Sequence, residues 1–420
     1  MGKKYLQQED VENAYKIIKS YVTHTPLQYD EYLSQKYNCN LYLKREDLQK
    51  VRSFKLRGAC YSILQTPEKQ RQKGVVCASA GNHAQGVAWT AHHLKIPAAI
   101  FMPVTTPKQK INQVKFFGKE NVSIELVGDT FDATAEAAEK YCHKKNLTFI
   151  APFNDLNTMA GQGTLAKELL DDAIQADLKF DYLFCTIGGG GLISGVGAYT
   201  KGVSPTTKII GVEPLGAASM KEAFAANYPV PLKKMDKFVD GAAVKKVGNL
   251  TFANANKYVD QLTTVPEGHV CTTVLELYDR EAIVAEPAGA LSISALDNYK
   301  TKIEGKNVVC ILSGGNNDIE RIPEIKERSL IYEGKQYYFI VKFPQRPGAL
   351  KEFVTEVLGI GDDITKFEYT KKMNKETGPV LIGIRLGKVK QINDLKKRMR
   401  IFDPNYIDLQ QNKILYEMMV

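Results

Sequence analysis

The residues Asp181-Tyr182-Leu183-Phe184-Cys185-Thr186-Ile187-Gly188-Gly189-Gly190-Gly191-Leu192-Ile193-Ser194-Gly195 run from an apolar stretch of strand length through four glycines into a helical pattern. On either side, short apolar runs alternate with helix-patterned segments: Gly74 to Ala78, Ala98 to Met102, Val122 to Val127, Lys208 to Val212 and Asn307 to Leu312. This βαβ rhythm predicts an α/β fold with open, mostly parallel sheets. Each run ends in Gly, Pro or Ser, and open α/β sheets place their ligands beyond the carboxyl ends of the strands.

Four consecutive glycines at such an end permit positive φ and let successive N–H groups converge on an anion. The spacing fails G-x-G-x-x-G, because Ser194 stands where the third glycine belongs, and it lacks the Gly-Lys-Ser/Thr ending of a Walker loop. Glu213, at the end of the next run, keeps a dinucleotide reading open.

The remaining chain bounds the possibilities. At 420 residues, 44% hydrophobic and 25% charged, it has material for two or three cores. No stretch approaches the ~18 apolar residues of a membrane span, and the start, Met1-Gly2-Lys3-Lys4-Tyr5 followed by Gln7-Gln8-Glu9-Asp10, lacks the apolar run of a signal peptide. A cytoplasmic protein is expected. The seven cysteines are odd in number and never form a C-x-x-C pair, which predicts buried thiols in a reducing compartment. The net charge of +9 is spread without a basic block interleaved with aromatics, so no nucleic-acid partner is expected.

After Arg321-Ile322-Pro323 the pattern changes. Tyr337 to Phe343 reads as a strand, Arg346-Pro347-Gly348 as a turn and Ala349 to Leu358 as an amphipathic helix. Strands near 364–370 and 380–386, a basic helix over 391–400 and a short strand near 406–409 complete a small α+β domain. The expected division is 1–327 and 328–420, with a smaller lobe of about 50–153 inserted in the first part. Sixteen Lys and Arg against eleven Asp and Glu in the last ninety residues hold about five of the nine excess charges.

Two further stretches invite chemistry. Lys55 lies in Ser53-Phe54-Lys55-Leu56-Arg57-Gly58-Ala59, just after Leu41-Tyr42-Leu43-Lys44-Arg45-Glu46-Asp47-Leu48. A lysine that condenses with an aldehyde must be deprotonated, and a partly desolvated pocket lowers its pKa. Ser79-Ala80-Gly81-Asn82-His83-Ala84-Gln85-Gly86 enters a helix from a strand end, presenting free N–H groups that suit a carboxylate. Ser79 alternatively reads as a simple N-cap. His83 reads as a hydrogen-bonding loop residue, with a general base or metal ligand as the other possibility.

Taken in order, the Lys55 stretch, Ser79 to Gly86, Gly188 to Gly195 and Ser313-Gly314-Gly315-Asn316 resemble the pyridoxal-phosphate lyases of the tryptophan-synthase-β type, and specifically threonine dehydratases. The resemblance implies a two-lobed lyase fold with pyridoxal 5'-phosphate on Lys55, flanked by Phe54. It implies that Asn82 bonds the cofactor's ring oxygen and that Gly188, Gly189, Gly190, Gly191 and Leu192 hold its phosphate. Ser79, Ala80, Gly81, Asn82 and His83 would bind the substrate carboxylate. Ser313 would face the pyridine nitrogen, where a neutral hydroxyl tolerates an unprotonated ring and favours prompt loss of a β-hydroxyl over transamination.

Ala160 to Thr164 and Ala285 to Ala290 also match, but read as helix-start and helix-packing glycines. Serine racemases are similar yet carry a second serine where this chain has Ala80, which implies elimination over racemisation. Some relatives hold a divalent cation through a Glu-Pro turn and a carboxylate six residues on. Here Glu213-Pro214 is followed by Ser219, one charge short, so no metal is expected.

Arg346-Pro347-Gly348-Ala349-Leu350 resembles the turn of the ACT-like regulatory domains of biosynthetic threonine dehydratases. It implies an isoleucine or valine effector at Arg346, Pro347 and Gly348, or otherwise a stabilising or oligomerising appendage. The implied activity is dehydration and deamination of threonine to 2-oxobutanoate and ammonia, in a homo-oligomer, tetramer or dimer. A serine/threonine dehydratase or related β-eliminating lyase of catabolic role is the alternative.

Overall fold

The computed structural model describes residues 5–371 and 375–420; Met1 to Lys4, the opening of the N-terminal stretch read above, lie outside them. The chain forms two compact units, Met1–Arg321 and Ile322–Val420. The expected boundary near residue 328 falls inside the helix Ile322–Tyr332.

The first unit carries the strands β1 (Leu27–Tyr29), β2 (Asn40–Arg45), β3 (Val75–Ala78), β4 (Ala98–Met102), β5 (Val122–Leu126), β6 (Thr148–Phe149), β7 (Tyr182–Thr186), β8 (Lys208–Pro214), β9 (Gln261–Val265) and β10 (Asn307–Leu312). They make two sheets, ordered β1-β2-β10-β7-β8-β9 and β5-β4-β3-β6. Every neighbouring pair is parallel except β1 and β2. The smaller sheet is drawn wholly from chain that lies between β2 and β7.

Burial explains this pairing. All residues of β3, β4 and β7 are buried, as are Val308 to Leu312 of β10, the continuous apolar pattern of strands covered on both faces. β1, β6 and β9 are not evident from the sequence. They are edge strands of two to five residues, and their part-exposed, polar pattern gives no apolar run to detect.

Two helices, Leu156–Gln175 and Gly191–Val203, cross through glycine. A Cβ on Gly195 would lie 2.1 Å from the Met159 carbonyl oxygen, so side chains are excluded by backbone. A buried ion network braces the start of the helix Lys55–Gln65. Arg57 Nε and Nη2 donate to Glu46 at 2.8 Å, while its Nη1 and Nη2 reach Glu168 at 2.8 and 2.7 Å. Lys44 Nζ adds bonds to Glu168 at 3.1 Å and to the Thr25 carbonyl at 2.6 Å. Burial pushes the Glu168 carboxyl up, but Arg57 and Lys44 together outweigh it and hold the group below its ordinary range. The chain before and after Lys55 is thereby fixed to two other elements.

All seven cysteines are free and buried in this unit. Burial pushes Cys39 up to about 11 and Cys60 to about 12.

The second unit is an antiparallel sheet ordered β12-β13-β11-β14, from β11 (Gln336–Pro344), β12 (Asp363–Tyr369), β13 (Thr377–Arg385) and β14 (Ile407–Asp408). β11 and β13 pair from Gln336↔Arg385 to Pro344↔Thr377. Phe339, Val341 and Phe343 point to one face, where they meet Phe353 of the helix Ala349–Glu356 and Leu395 and Met399 of the helix Ile392–Phe402. On the other face Tyr338 packs with Ile331, Leu415 and Tyr416. The last two belong to a helix, Lys413–Met419, too short for periodicity to announce.

Candidate active site

The site residues of the first unit lie where the carboxyl ends of parallel strands give way to loops. β10 ends at Leu312, so Ser313 begins the next loop, and its carbonyl accepts the Phe54 N–H at 3.2 Å. Ser53 pairs with Gly314 in an isolated bridge. The last residues before the Lys55 helix are therefore docked on the Ser313 loop. Lys55 opens that helix, partly buried, with Nζ donating to the Pro152 carbonyl at 2.9 Å and 5.4 Å from the Phe54 ring centre. Burial pushes the amine down to about 8, against the opposing charge of Glu286.

β3 ends at Ala78 and feeds Ser79-Ala80-Gly81 into the helix Asn82–Leu94. Gly81, not Ser79, is the N-cap; the Ser79 hydroxyl instead accepts the Gly81 N–H at 3.2 Å, which corrects the N-cap reading. A glycine cap supplies no side-chain acceptor, so the first-turn N–H groups of Asn82, His83 and Ala84 have no backbone acceptor among the described residues. A Cβ on Gly81 would meet nothing within 4 Å. Open space and a helix N-terminus together suit a carboxylate.

His83 belongs to the helix, not the loop, and is 2% exposed; its Nε2 lies 2.9 Å from the Ile150 carbonyl. Burial, reinforced by the Lys55 charge, pushes it down to about 3, so it stays neutral and is no general base near neutral pH.

The glycine loop between β7 and the helix Gly191–Val203 is walled in. A Cβ on Gly189 would lie 2.2 Å from the Phe153 ring, one on Gly190 2.6 Å from Met220, and one on Gly188 3.0 Å from the Ala242 backbone. Gly190 adopts φ +88°, open to glycine at little cost. The N–H groups of Gly188 to Leu192 have no acceptor among the described residues. Phe153 follows Pro152, whose carbonyl holds Lys55, so the ammonium and the glycine loop are neighbours.

Several participants were not singled out in the sequence. Asn82 Nδ2 donates to Glu286 Oε1 at 2.6 Å, and Asn82 Oδ1 accepts from Asn316 Nδ2 at 2.8 Å. Glu286 sits at the N-cap of the helix Pro287–Ser294, as the helix-start reading of Ala285 to Ala290 has it, yet its carboxylate makes no capping bond. Burial and the charge of Asp240 push it up to about 7. An acidic residue before proline signals a cap; only its contacts show it turned toward Asn82. The Ser313 hydroxyl donates to the Ala288 carbonyl at 3.2 Å, and its single hydrogen would have to turn from there to serve an unprotonated ring nitrogen.

Other readings resolve structurally. Ala160 to Thr164 lies inside the helix Leu156–Gln175, where Gln162 accepts the Gly58 N–H at 3.1 Å. Glu213 is fully buried and accepts the N–H groups of Met220 and Lys221 at 2.7 and 2.9 Å, capping the helix Ser219–Ala226. A carboxylate so used is not available to a ribose, which removes the dinucleotide reading. In the second unit Arg346 is exposed and paired with Glu352, and Gly348 takes φ +85° ahead of the helix Ala349–Glu356.

A partly desolvated lysine amine near a helix N-terminus stripped of Cβ atoms, with an asparagine amide and a serine hydroxyl alongside, fits an aldehyde that also carries a phosphate. The fold and this site define a pyridoxal-phosphate-dependent enzyme. The family described as pyridoxal-phosphate dependent enzyme matches residues 18–314, and the C-terminal regulatory domain of threonine dehydratase matches residues 327–419. The chain belongs to the biosynthetic threonine dehydratase family. It is 58% identical to the L-threonine dehydratase biosynthetic IlvA of Staphylococcus epidermidis and 57% to that of Staphylococcus aureus, over 98% of each chain. It is also similar to the solved processed form of threonine deaminase isoform 2 from Solanum lycopersicum, at 36% identity and TM-score 0.72, covering 79% of this chain and 91% of that one.

Proposed function

We propose that this chain removes water and then ammonia from L-threonine to give 2-oxobutanoate, the first step from threonine toward isoleucine. The observation that supports the reading is that Lys55 is tied to Pro152, whose neighbour Phe153 walls the glycine loop, and through Phe54 to Ser313, in a chain whose relatives bear that activity's name. Bound pyridoxal phosphate supplies an electron sink that acidifies the α-hydrogen of an amino acid joined to it.

In this reading Lys55 would hold the cofactor through its amine, and that amine, when free, would take the substrate's α-hydrogen as a proton. The first-turn N–H groups of the helix Asn82–Leu94, with Ser79, Ala80 and Gly81, hold the carboxylate. Gly188 to Leu192 hold the phosphate, Phe54 flanks the ring and Asn82 bonds its oxygen. Ser313 offers the ring nitrogen a neutral partner. The β-hydroxyl would leave as water with the proton that Lys55 took from the α-carbon, and the enamine product would tautomerise and hydrolyse in solution to the oxo acid and ammonia.

The catalytic part spans 1–327, with a lobe of about 50–153 inserted, and the regulatory part 328–420. An isoleucine or valine bound near Arg346, Pro347 and Gly348 tunes the activity in a cytoplasmic homo-oligomer. No described helix is long and apolar enough to cross a membrane. Lys55→Ala is expected to keep the fold while abolishing 2-oxobutanoate formation and the cofactor's visible absorbance. A fully active alanine variant sinks the proposal, and wild-type assays with and without isoleucine test the regulatory half.

A further inference from the structure

Two sets of ion pairs join the part of the first unit built on the smaller sheet to the part built on the larger one. In the first, Arg57 meets Glu46 and Glu168 in a wholly buried network. Glu46 and Arg57 lie between β2 of the larger sheet and β3 of the smaller, where the chain passes from one part to the other. The second is the pair of Lys110 Nζ with Asp240 Oδ2, 130 residues apart, with side chains 24% and 39% exposed. Lys110 is in the first turn of the helix Lys108–Gly118, between β4 and β5 of the smaller sheet. Asp240 lies between β8 and β9 of the larger sheet, in residues 227–248, which form no helix or strand. A loop of that length inside a compact unit is usually functional.

Asp240 is held from its own side as well. Arg321, which follows β10, sets Nη1 3.4 Å from Asp240 Oδ1, donates from Nη2 to the Phe238 carbonyl at 2.6 Å, and lies 4.9 Å from the Phe238 ring centre. The Val239 carbonyl accepts the N–H groups of Ala242 and Ala243 at 2.9 and 2.8 Å, which makes 239–243 a tight turn. That turn is a wall of the site. A Cβ on Gly241 would lie 2.8 Å from Ala288 Cβ and 3.7 Å from Glu286 Oε1, and one on Gly188 3.3 Å from the Gly241 carbonyl oxygen. Asp240 is thus one residue away from backbone that packs on both the glycine loop and the start of the helix Pro287–Ser294.

We propose that the Lys110–Asp240 pair is a clasp: it ties the smaller-sheet part to the turn that walls the active site, and it parts to admit an amino acid and to release the product. This rests on the reading of that site as one that turns over threonine. The two attachments suit different work. A buried network such as that of Arg57 breaks only at high cost, so the two parts stay joined there. A pair open to water is screened by solvent and salt and biases an equilibrium by roughly fivefold or less. Such a pair can open and close within one turnover. Arg321 keeps Asp240 in place when Lys110 lets go, so the clasp closes again on a prepared partner.

Lys110→Met keeps the aliphatic stem and removes the charge, and Asp240→Asn keeps an oxygen for the Gly241 N–H, which Asp240 Oδ1 accepts at 3.0 Å. In the Lys110→Met holoenzyme KM for threonine is expected to rise roughly fivefold with kcat not lowered. Hydroxylamine, a small reagent that captures the cofactor aldehyde, should take it from Lys55 faster by a similar factor. Amide hydrogen exchange over 227–248 should quicken while the melting temperature scarcely moves. Asp240→Asn is expected to do the same, and the double variant no more than either single, since all three lack the same pair. Hydroxylamine and exchange rates equal to wild type, or effects that add in the double variant, overturn the clasp. Should neither variant fold, salt decides on the wild type. Raising sodium chloride from about 0.05 to about 0.5 M shortens the reach of charge to a few Å and should quicken both hydroxylamine capture and exchange over 227–248. Rates that ignore salt reject the idea. Failure of the functional reading would show differently, as a wild type that makes no 2-oxobutanoate while hydrogen exchange still reports on the clasp.

Discussion

Asn82 is gripped from two sides, its Nδ2 by the Glu286 carboxylate at 2.6 Å and its Oδ1 by Asn316 Nδ2 at 2.8 Å. The amide's orientation is thus set by residues from two distant stretches of chain. Glu286→Ala frees it and should lower kcat/KM roughly tenfold or more, as expected for a hydrogen bond lost from a buried positioning group. Glu286→Gln, which still offers Asn82 an oxygen, should lose less. Equal losses in the two variants would falsify the positioning role.

Glu286 should also leave a mark on stability. Its pKa in the folded chain is pushed up to about 7 by burial, above the ordinary carboxyl value. A raised carboxyl stabilises the fold below its ordinary pKa, and that stability is lost as pH rises through about 7. The urea midpoint of the wild type should therefore fall relative to Glu286→Gln between pH 5 and pH 8, by the equivalent of about 3 kcal/mol. A difference that does not change with pH contradicts it.

Lys55 in the cofactor-free protein is pushed down to about 8 by burial. Only the neutral amine can attack an aldehyde, so the rate of recombination of apoprotein with pyridoxal phosphate should climb with pH and level off above about 8. Stopped-flow absorbance reads this directly. A plateau reached only near the ordinary lysine value would show that the amine is not desolvated.

The ion network beside Lys55 carries a stability prediction of its own. Arg57→Leu leaves Glu46 and Glu168 buried with Lys44 as the remaining cation, at a cost of about 3–5 kcal/mol. Arg57→Lys should recover little, because one ammonium cannot reach both carboxylates as a planar fork does. Urea unfolding checks both, and a shift under about 1 kcal/mol for Arg57→Leu argues against the network as a brace.

Two glycine substitutions should separate packing from binding. Gly195→Ala drives a Cβ against the Met159 carbonyl and should cost about 1–3 kcal/mol. Gly81→Ala meets no protein atom within 4 Å, so it should cost only the loss of about 1 kcal/mol or less from a poorer helix cap while KM for threonine rises about tenfold. An unchanged KM would place the carboxylate elsewhere.

The legible part of the chain is the part whose signal is local. The buried parallel strands announce themselves as apolar runs, and the glycine loop, Lys55 and the Asn82 stretch each stand in recognisable order. Pro152, Phe153 and Glu286 are invisible at that level, since their roles come from contacts across the fold. Pro152 acts through a backbone carbonyl that any residue possesses. Phe153 matters because it fills the space a Gly189 Cβ would need. Ser79 misleads, because a serine before a helix usually caps it, and here the cap position falls two residues later on Gly81. In the second unit the short terminal helix is specified by Leu415 and Tyr416 packing on the sheet, a tertiary cause with no periodic trace.

All seven cysteines fall between Cys39 and Cys310, buried and unoxidised, and none lies in the second unit. The chain therefore carries a built-in clock for the first unit alone. A thiol-reactive dye should ignore the native protein and label it only as fast as Met1–Arg321 opens, whatever the rest of the chain is doing. Comparing labelling rates with and without threonine or isoleucine would then report how each small molecule slows that opening, without any engineered probe.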